Sequence, residues 1–212
     1  MKKTMDMKTK LLLAGFGVTA IVFLILGIKA GAYFYGGSGG PGGYSSGTSQ
    51  SAMKLTEGVS LYYGVGVPQD YEKATQWFRK AGEQGDAEAQ MWLARCYAQG
   101  KGVEKNEERY MEWLRKAAEG GHVEAQYTLG MNYIDNRGNV APDKEEAFKW
   151  FDKAAKQGLA EAQYELAHCY SYGIGVKQDK AKAVQWCLKA VLQRHKEASR
   201  WLEEYAREQR GK

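Results

Sequence analysis

The chain has 212 residues, of which 44% are apolar and 26% charged, with three prolines, three cysteines and a formal net charge of +5. That composition is globular, sized for one domain with an appendage or for two small domains, and it excludes a wholly disordered chain and a disulfide-built scaffold. The charge is not spread over the fold: residues 1–54 hold six Lys and one Asp, whereas residues 55–212 hold 24 basic and 24 acidic side chains. The C-terminal part is therefore electrically balanced, and a nucleic-acid partner loses its support.

Residues 1–10 carry Lys2, Lys3, Lys8 and Lys10 against the single acid Asp6. They precede an uncharged apolar run, Leu11 to Ile28, which as a helix covers about 27 Å, close to the hydrocarbon thickness of a bilayer. The sequence thus predicts a single N-terminal transmembrane helix over 11–28 with a cytoplasmic N-terminus, exporting everything after it. A cleaved signal peptide is the alternative. Ala30-Gly31-Ala32 would supply its small-residue site and cleavage would follow Ala32, but the apolar run exceeds the usual length and Lys29 interrupts the approach to that site. Tyr33, Phe34 and Tyr35 suit the interfacial belt of a retained anchor. The segment 29–54 contains GGSGGPGGYSSGTSQSAM and is expected to be a flexible Gly/Ser-rich linker.

Residues 55–212 are repetitive. Trp77, Trp113, Trp150 and Trp186 recur at intervals of 36, 37 and 36, and Glu88, Glu124, Glu161 and Glu197 keep the same intervals. The units run approximately 55–90, 91–126, 127–163 and 164–199, with a tail, 200–212, that matches the start of a fifth unit and would cap the stack. In the second unit Ala89, Leu93 and Tyr97 form one apolar stripe of a helix. A Gly-x-Gly-Val turn follows. Asp70, Asn106, Asp143 and Asp179 then stand where a second helix needs its N-cap, and Gly85, Gly121 and Gly158 stand where that helix should end. Arg194 replaces the terminating Gly in the last unit. Each hairpin alone leaves an apolar face open, so successive hairpins must stack. The predicted fold is all-α, a right-handed solenoid of about four helix-turn-helix repeats plus a C-terminal capping helix.

The pattern Leu-Gly/Ala-x-x-Tyr, Gly-x-Gly-Val, Asp, Ala-x-x-Trp-Phe, Lys-Ala-Ala, Gly-x-x-Glu-Ala-Gln resembles the Sel-1-like repeat (SLR), a relative of the tetratricopeptide repeat. The resemblance spans about 55–200 in four in-phase copies.

Chemistry is sparse. His122 and His195 share one repeat column and read as structural; His168 beside Cys169 points about 100° away from it, a poor metal pair. The Gly-x-Gly turns follow a helix instead of a strand, which fails the context a phosphate loop requires. No nucleophile is accompanied by a base and an orienting group, so no enzyme, metal, cofactor or small-molecule substrate is expected. Cys169 and Cys187 sit at positions expected to face each other within one hairpin, and either a disulfide or two buried thiols would satisfy the spacing.

Such stacks bind partners on the concave face made by their first helices. The positions expected there are Trp92, Arg95 and Gln99, Thr128 and Met131, Glu165 and His168, and Trp201; the two Trp residues are either hot spots or rings folded back onto a neighbouring hairpin. The irregular turn at Asp135, Asn136 and Arg137 is a second expected contact site. The resemblance implies a non-enzymatic protein-binding scaffold in the bacterial periplasm, displayed from an inner-membrane anchor. More specifically, it implies an immunity protein that neutralises a type VI secretion effector such as a phospholipase. The other implied role is a structural or adaptor component of an envelope assembly, such as a flagellar motor, secretion or signalling complex.

Overall fold

The computed structural model describes residues 46–135 and 141–210, so the expected membrane segment, the linker up to residue 45, and Asn136 and Arg137 lie outside the described residues. Among the described residues, nine helices and no strand are present, and no helix is long and apolar enough to cross a membrane. They are α1 (Ser46–Tyr63), α2 (Tyr71–Gly82), α3 (Ala87–Gln99), α4 (Glu107–Glu119), α5 (Val123–Asp135), α6 (Lys144–Lys156), α7 (Ala160–Tyr172), α8 (Lys180–Leu192) and α9 (Lys196–Arg210). Each odd-numbered helix up to α7 pairs with the next as a hairpin, α3, α5 and α7 also pack on the helix before them, and α9 closes the stack against α8. Two features correct the sequence reading. Helix α1 starts at Ser46, so the last nine residues of the expected linker are helical. The hairpins are separated by the short turns before Ala87, Val123 and Ala160, four residues ahead of the boundaries inferred from the repeat period.

The second helix of every hairpin begins as the sequence requires. Asp70, Asn106, Asp143 and Asp179 accept the backbone N–H three residues on, at 2.9, 2.8, 2.9 and 2.9 Å. Each such cap is worth about 1 kcal/mol. The first helices are capped less uniformly: Asp86 caps α3, His122 Nδ1 caps α5 from 3.1 Å, and His195 Nδ1 caps α9 from 3.1 Å. Leu159, in the same column before α7, makes no side-chain cap.

Between the helices of a hairpin the chain turns through left-handed glycines. Gly102 and Gly175 are the tight ones: both have positive φ, and a Cβ on either would lie 2.0 Å from the backbone oxygen of Tyr71 or Lys144 in the preceding hairpin. Arg194, where other units have Gly, adopts φ 65°, alone among the non-glycine residues described.

The core is made of repeated columns. Ala89, Ala125, Ala162 and Ala198 are fully buried, as are Leu93, Leu129 and Leu166 and the Phe78, Leu114 and Phe151 layer of the second helices. A polar ladder that the periodicity did not announce runs through it. Gln90, Gln126 and Gln163 donate to the carbonyls of Gly82, Ala118 and Ala155 at 2.9, 3.0 and 3.3 Å. Gln157 and Gln193 of the following repeats donate in turn to the Oε1 atoms of Gln126 and Gln163 at 2.8 and 2.9 Å. The equivalent position after Gln90 is Gly120, which has no side chain to offer. Gln90 Oε1 is buried without a hydrogen-bond partner.

The three cysteines are free and buried. Of the two readings left open for Cys169 and Cys187, the buried thiols hold and the disulfide is not formed, because the two thiols face opposite neighbours. Cys169 packs with Ala147, Phe151 and Leu166 toward the preceding hairpin. Cys187 packs with Ala167, Ala190 and Ala198, and its Sγ donates to Ala198 O at 3.2 Å. Burial, with the Glu165 charge added, pushes the Cys169 thiol up to about 12, and burial pushes Cys187 to about 11.

Candidate partner-binding face

The first helices bring four side-chain columns together by their repeat spacing. Their members are Glu88, Glu124, Glu161 and Glu197; Trp92, Thr128, Glu165 and Trp201; Arg95, Met131, His168 and Glu204; and Gln99, Asp135, Tyr172 and Glu208. Most of the expected binding residues fall in these columns, but their accessibility differs.

Trp92 is 4% exposed. It stacks on Phe78 with centroids 5.4 Å apart, meets Tyr62 and Tyr63 edge-on, and donates Nε1–H to Glu88 Oε1 at 2.9 Å. The expectation that it is a free hot spot is thus corrected: α1 supplies two tyrosines that close over it. Arg95 sits 5.3 Å from the Trp92 ring and pairs with Glu124 Oε2 at 2.6 Å, tying one first helix to the next. Gln99 is exposed and accepts a hydrogen bond from Tyr62 Oη at 3.1 Å.

Thr128 and Met131 are half-buried in a cleft of about 460 Å³ shared with Ala98, Tyr110, Tyr127 and Asn132. Glu165 is half-buried, and burial followed by the nearby Asp135 charge raises its carboxyl above the usual range. The same charges, after burial itself, raise the Tyr127 hydroxyl. The His168 ring lies 4.5 Å from Tyr164 and 5.5 Å from Tyr172; its Nε2 is buried without a hydrogen-bond partner, and burial lowers its pKa. Trp201 is half-buried and stacks parallel to Tyr205 at 5.4 Å. Asp135 is exposed at the end of α5.

Glu88 is the best-connected carboxylate of the face. Burial alone would raise its pKa, but hydrogen bonds from His122 and Trp92 and the Arg95 charge outweigh burial and hold it below the usual range. Sequence reasoning missed Tyr172, 64% exposed in the column of Gln99, although the repeat alignment places it there. It also missed Leu188 and Leu192 on α8, which are 44% and 84% exposed. Their signal was the break in the second-helix pattern after Trp186, where polar residues stand in other units.

The arrangement offers surfaces for recognition. Among the described residues no group of three or more His, Cys, Asp or Glu side chains could hold a metal ion.

A family model of the Sel1 repeat matches residues 58–86, 87–122, 123–159 and 160–195, unit by unit with the hairpins just described. The chain belongs to the Sel1 repeat family. This SLR chain is similar to the crystal structure of a Sel1 repeat protein from Oxalobacter formigenes, at 37% identity and a TM-score of 0.71, covering 73% of this chain and 44% of that one. It is also similar to a protective antigen present in uropathogenic Escherichia coli strains that displays an SLR fold. There the identity is 34% and the TM-score 0.63, over 69% of this chain and 31% of that one. The SLR chain thus spans less than half the length of either protein. A more distant likeness, to an immunity protein from Pseudomonas aeruginosa, has 23% identity and a TM-score of 0.35 over 71% of each chain, too remote to bear on function. A comparison with curated proteins found no match. The Sel1 repeat is a non-catalytic fold suited to protein binding.

Proposed function

We propose that this SLR protein grips another protein through the face built by its first helices, and that it does so as an immunity protein against a secreted effector such as a phospholipase. The observation that carries the binding reading is a division of labour between columns. The Ala and Leu columns repeat with their burial unchanged, while the adjacent column, whose first member Trp92 is covered by α1, runs on at the surface as Thr128, Glu165 and Trp201 with a different chemistry at each step. A constant core under a varied face is how a repeat scaffold encodes one specific partner. The immunity reading rests on the sequence order, a basic end, an apolar segment at 11–28, a Gly/Ser stretch and then the solenoid. Such a chain would place a tethered inhibitor in the periplasm, where an effector arrives.

The test is twofold. A pull-down from membranes with the full chain should recover a partner that Thr128→Arg or Met131→Glu releases, and a strain lacking the gene should die beside toxin-armed siblings. Retention of the partner by both variants would reject the face, and survival of the deletion strain would reject immunity. The exposed Leu188 and Leu192 favour a second reading, an adaptor or structural component of an envelope assembly, since an apolar pair on the outer helix suits a stable neighbour. Co-purification of the chain with a large envelope complex, lost on Leu192→Lys, would select that reading.

A further inference from the structure

Five of the six Trp residues in this chain carry their own cation three positions on. Lys80, Lys116, Lys153 and Lys189 lie 5.0, 4.2, 3.7 and 3.6 Å from the ring centroids of Trp77, Trp113, Trp150 and Trp186. Arg95 does the same for Trp92, and there the guanidinium is also paired with the Glu124 carboxylate at 2.6 Å. Trp92, Arg95 and Glu124 thus form a complete indole, cation and carboxylate set within the first-helix face.

Trp201 occupies the column of Trp92, but the residue three positions on is Glu204, where Arg95 stood. Among the described residues no cation lies over the Trp201 ring. Beside it a cleft of about 220 Å³ opens between the end of α7, the turn into α8 and α9, lined by Tyr172, Gln178, Trp201, Glu204, Tyr205 and Glu208, with Lys180 of α8 also in its wall. Trp201 and Tyr205 form a parallel shelf, their planes 8° apart, and Tyr172 stands 64% exposed. Glu204 and Glu208 are one helical turn apart, a like-charge pair that an incoming cation relieves. Aromatic faces and two carboxylates are present, and although Lys180 lines the cleft, no cation among the described residues stacks on the Trp201 ring as Arg95 does on Trp92.

We infer that this cleft receives an arginine or lysine side chain from a basic segment of the protein partner. The incoming cation lies against the Trp201–Tyr205 shelf and pairs with Glu204 and Glu208, reproducing in trans what Arg95 does in cis. Arginine is favoured, because its planar group stacks on a ring and binds carboxylates at once. The inference rests on the reading of the first-helix face as a partner-binding surface and adds the chemistry of what it binds.

The experiment uses the full chain and a fluorescein-labelled hexa-arginine peptide followed by anisotropy, with hexa-glutamate as the opposite-charge control. Saturable hexa-arginine binding is expected, weakened by about tenfold or more in Glu204→Gln/Glu208→Gln and in Trp201→Leu. Glu104→Gln/Glu119→Gln, with the same charge change outside the first-helix face, should bind as the parent does. Thermal melts of every variant separate lost binding from lost folding. Absence of hexa-arginine binding, or equal weakening by the two double variants, overturns the proposal. The membrane pull-down then distinguishes the levels. A partner released by Thr128→Arg but kept by Glu204→Gln/Glu208→Gln refutes the basic-segment cleft and leaves the binding face standing; a partner kept by both refutes the face itself.

Discussion

His122 and Glu88, one repeat apart, meet with Nε2 and Oε2 separated by 3.0 Å, while His122 Nδ1 accepts the Ala125 N–H that opens α5. One imidazole therefore caps its own helix and fastens it to the previous one, which requires Nδ1 unprotonated and the proton on Nε2. His195 repeats only half of this: it caps α9, but its carboxylate neighbour, Glu197, lies 3.7 Å away on the same helix. His122→Asn, which keeps a capping acceptor but cannot reach Glu88, should cost about 1 kcal/mol, and His122→Ala about 2 kcal/mol. Urea unfolding would show no loss for His122→Asn if the bridge contributed nothing, and equal losses for the two variants if the cap contributed nothing.

Glu88 gives a pH signature. Its folded pKa is depressed below the usual 4.5, so the stability it contributes is fully present above that value and is lost as pH falls through the lower folded value. Asp70, Asp179 and Glu112 are depressed as well and act with the same sign, so the variant difference is what isolates Glu88. The gap in stability between the parent and Glu88→Gln should shrink as pH falls through the carboxylate range toward pH 3. A gap that persists at pH 3 would assign the loss to packing.

Glu165 should do the reverse. Burial and Asp135 raise its folded pKa, so the charged form is a cost that appears as pH climbs past the ordinary value and is complete above the raised one. Glu165→Gln is expected to stabilise the solenoid at pH 7 and to change little near pH 4, as read from thermal melts at the two pH values.

Gly102 should tolerate no side chain. A Cβ there would stand 2.0 Å from Tyr71 O and 2.7 Å from Thr75 Oγ1 at a positive φ, and the contact is backbone, which cannot swing aside. Gly102→Ala should cost about 3 kcal/mol or more, whereas Gly66→Ala, with the same φ but open space around it, should cost about 1 kcal/mol. Similar losses at the two sites would show that φ alone matters.

The glutamine ladder can be completed. Gly120→Gln supplies the missing donor to the buried Gln90 Oε1, and Ala87 Cβ, 3.0 Å from the new Cβ, must move by a few tenths of an ångström. A gain of about 0.5–1 kcal/mol is expected, and it should vanish in the background of Gln90→Leu, where no acceptor remains.

The repeat was legible because its signals are local and recur. Caps at Asp70, Asn106, Asp143 and Asp179, turn glycines and the Ala and Leu columns each act within one or two helical turns, and four in-phase copies raise a weak local preference to a firm one. The site was only partly legible. Spacing put Trp92 and Trp201 in the same column and could not tell that α1 would cover the first with Tyr62 and Tyr63, because that helix begins in residues whose composition reads as linker. Nor could spacing orient Cys169 and Cys187, since one helix pair offers each thiol two neighbours and only the stacking of the next hairpin chooses between them.

By itself, then, the sequence determined the all-helical repeat, its period, its caps and its electrical balance, which follow from short-range hydrogen bonding and from side chains three and four apart. Tertiary structure decided which surface residues stay open and how the Glu88 and Glu165 carboxylates are shifted. Those properties depend on contacts between residues some 30 positions apart, such as Arg95 with Glu124, and exist only once one hairpin has been laid against the next.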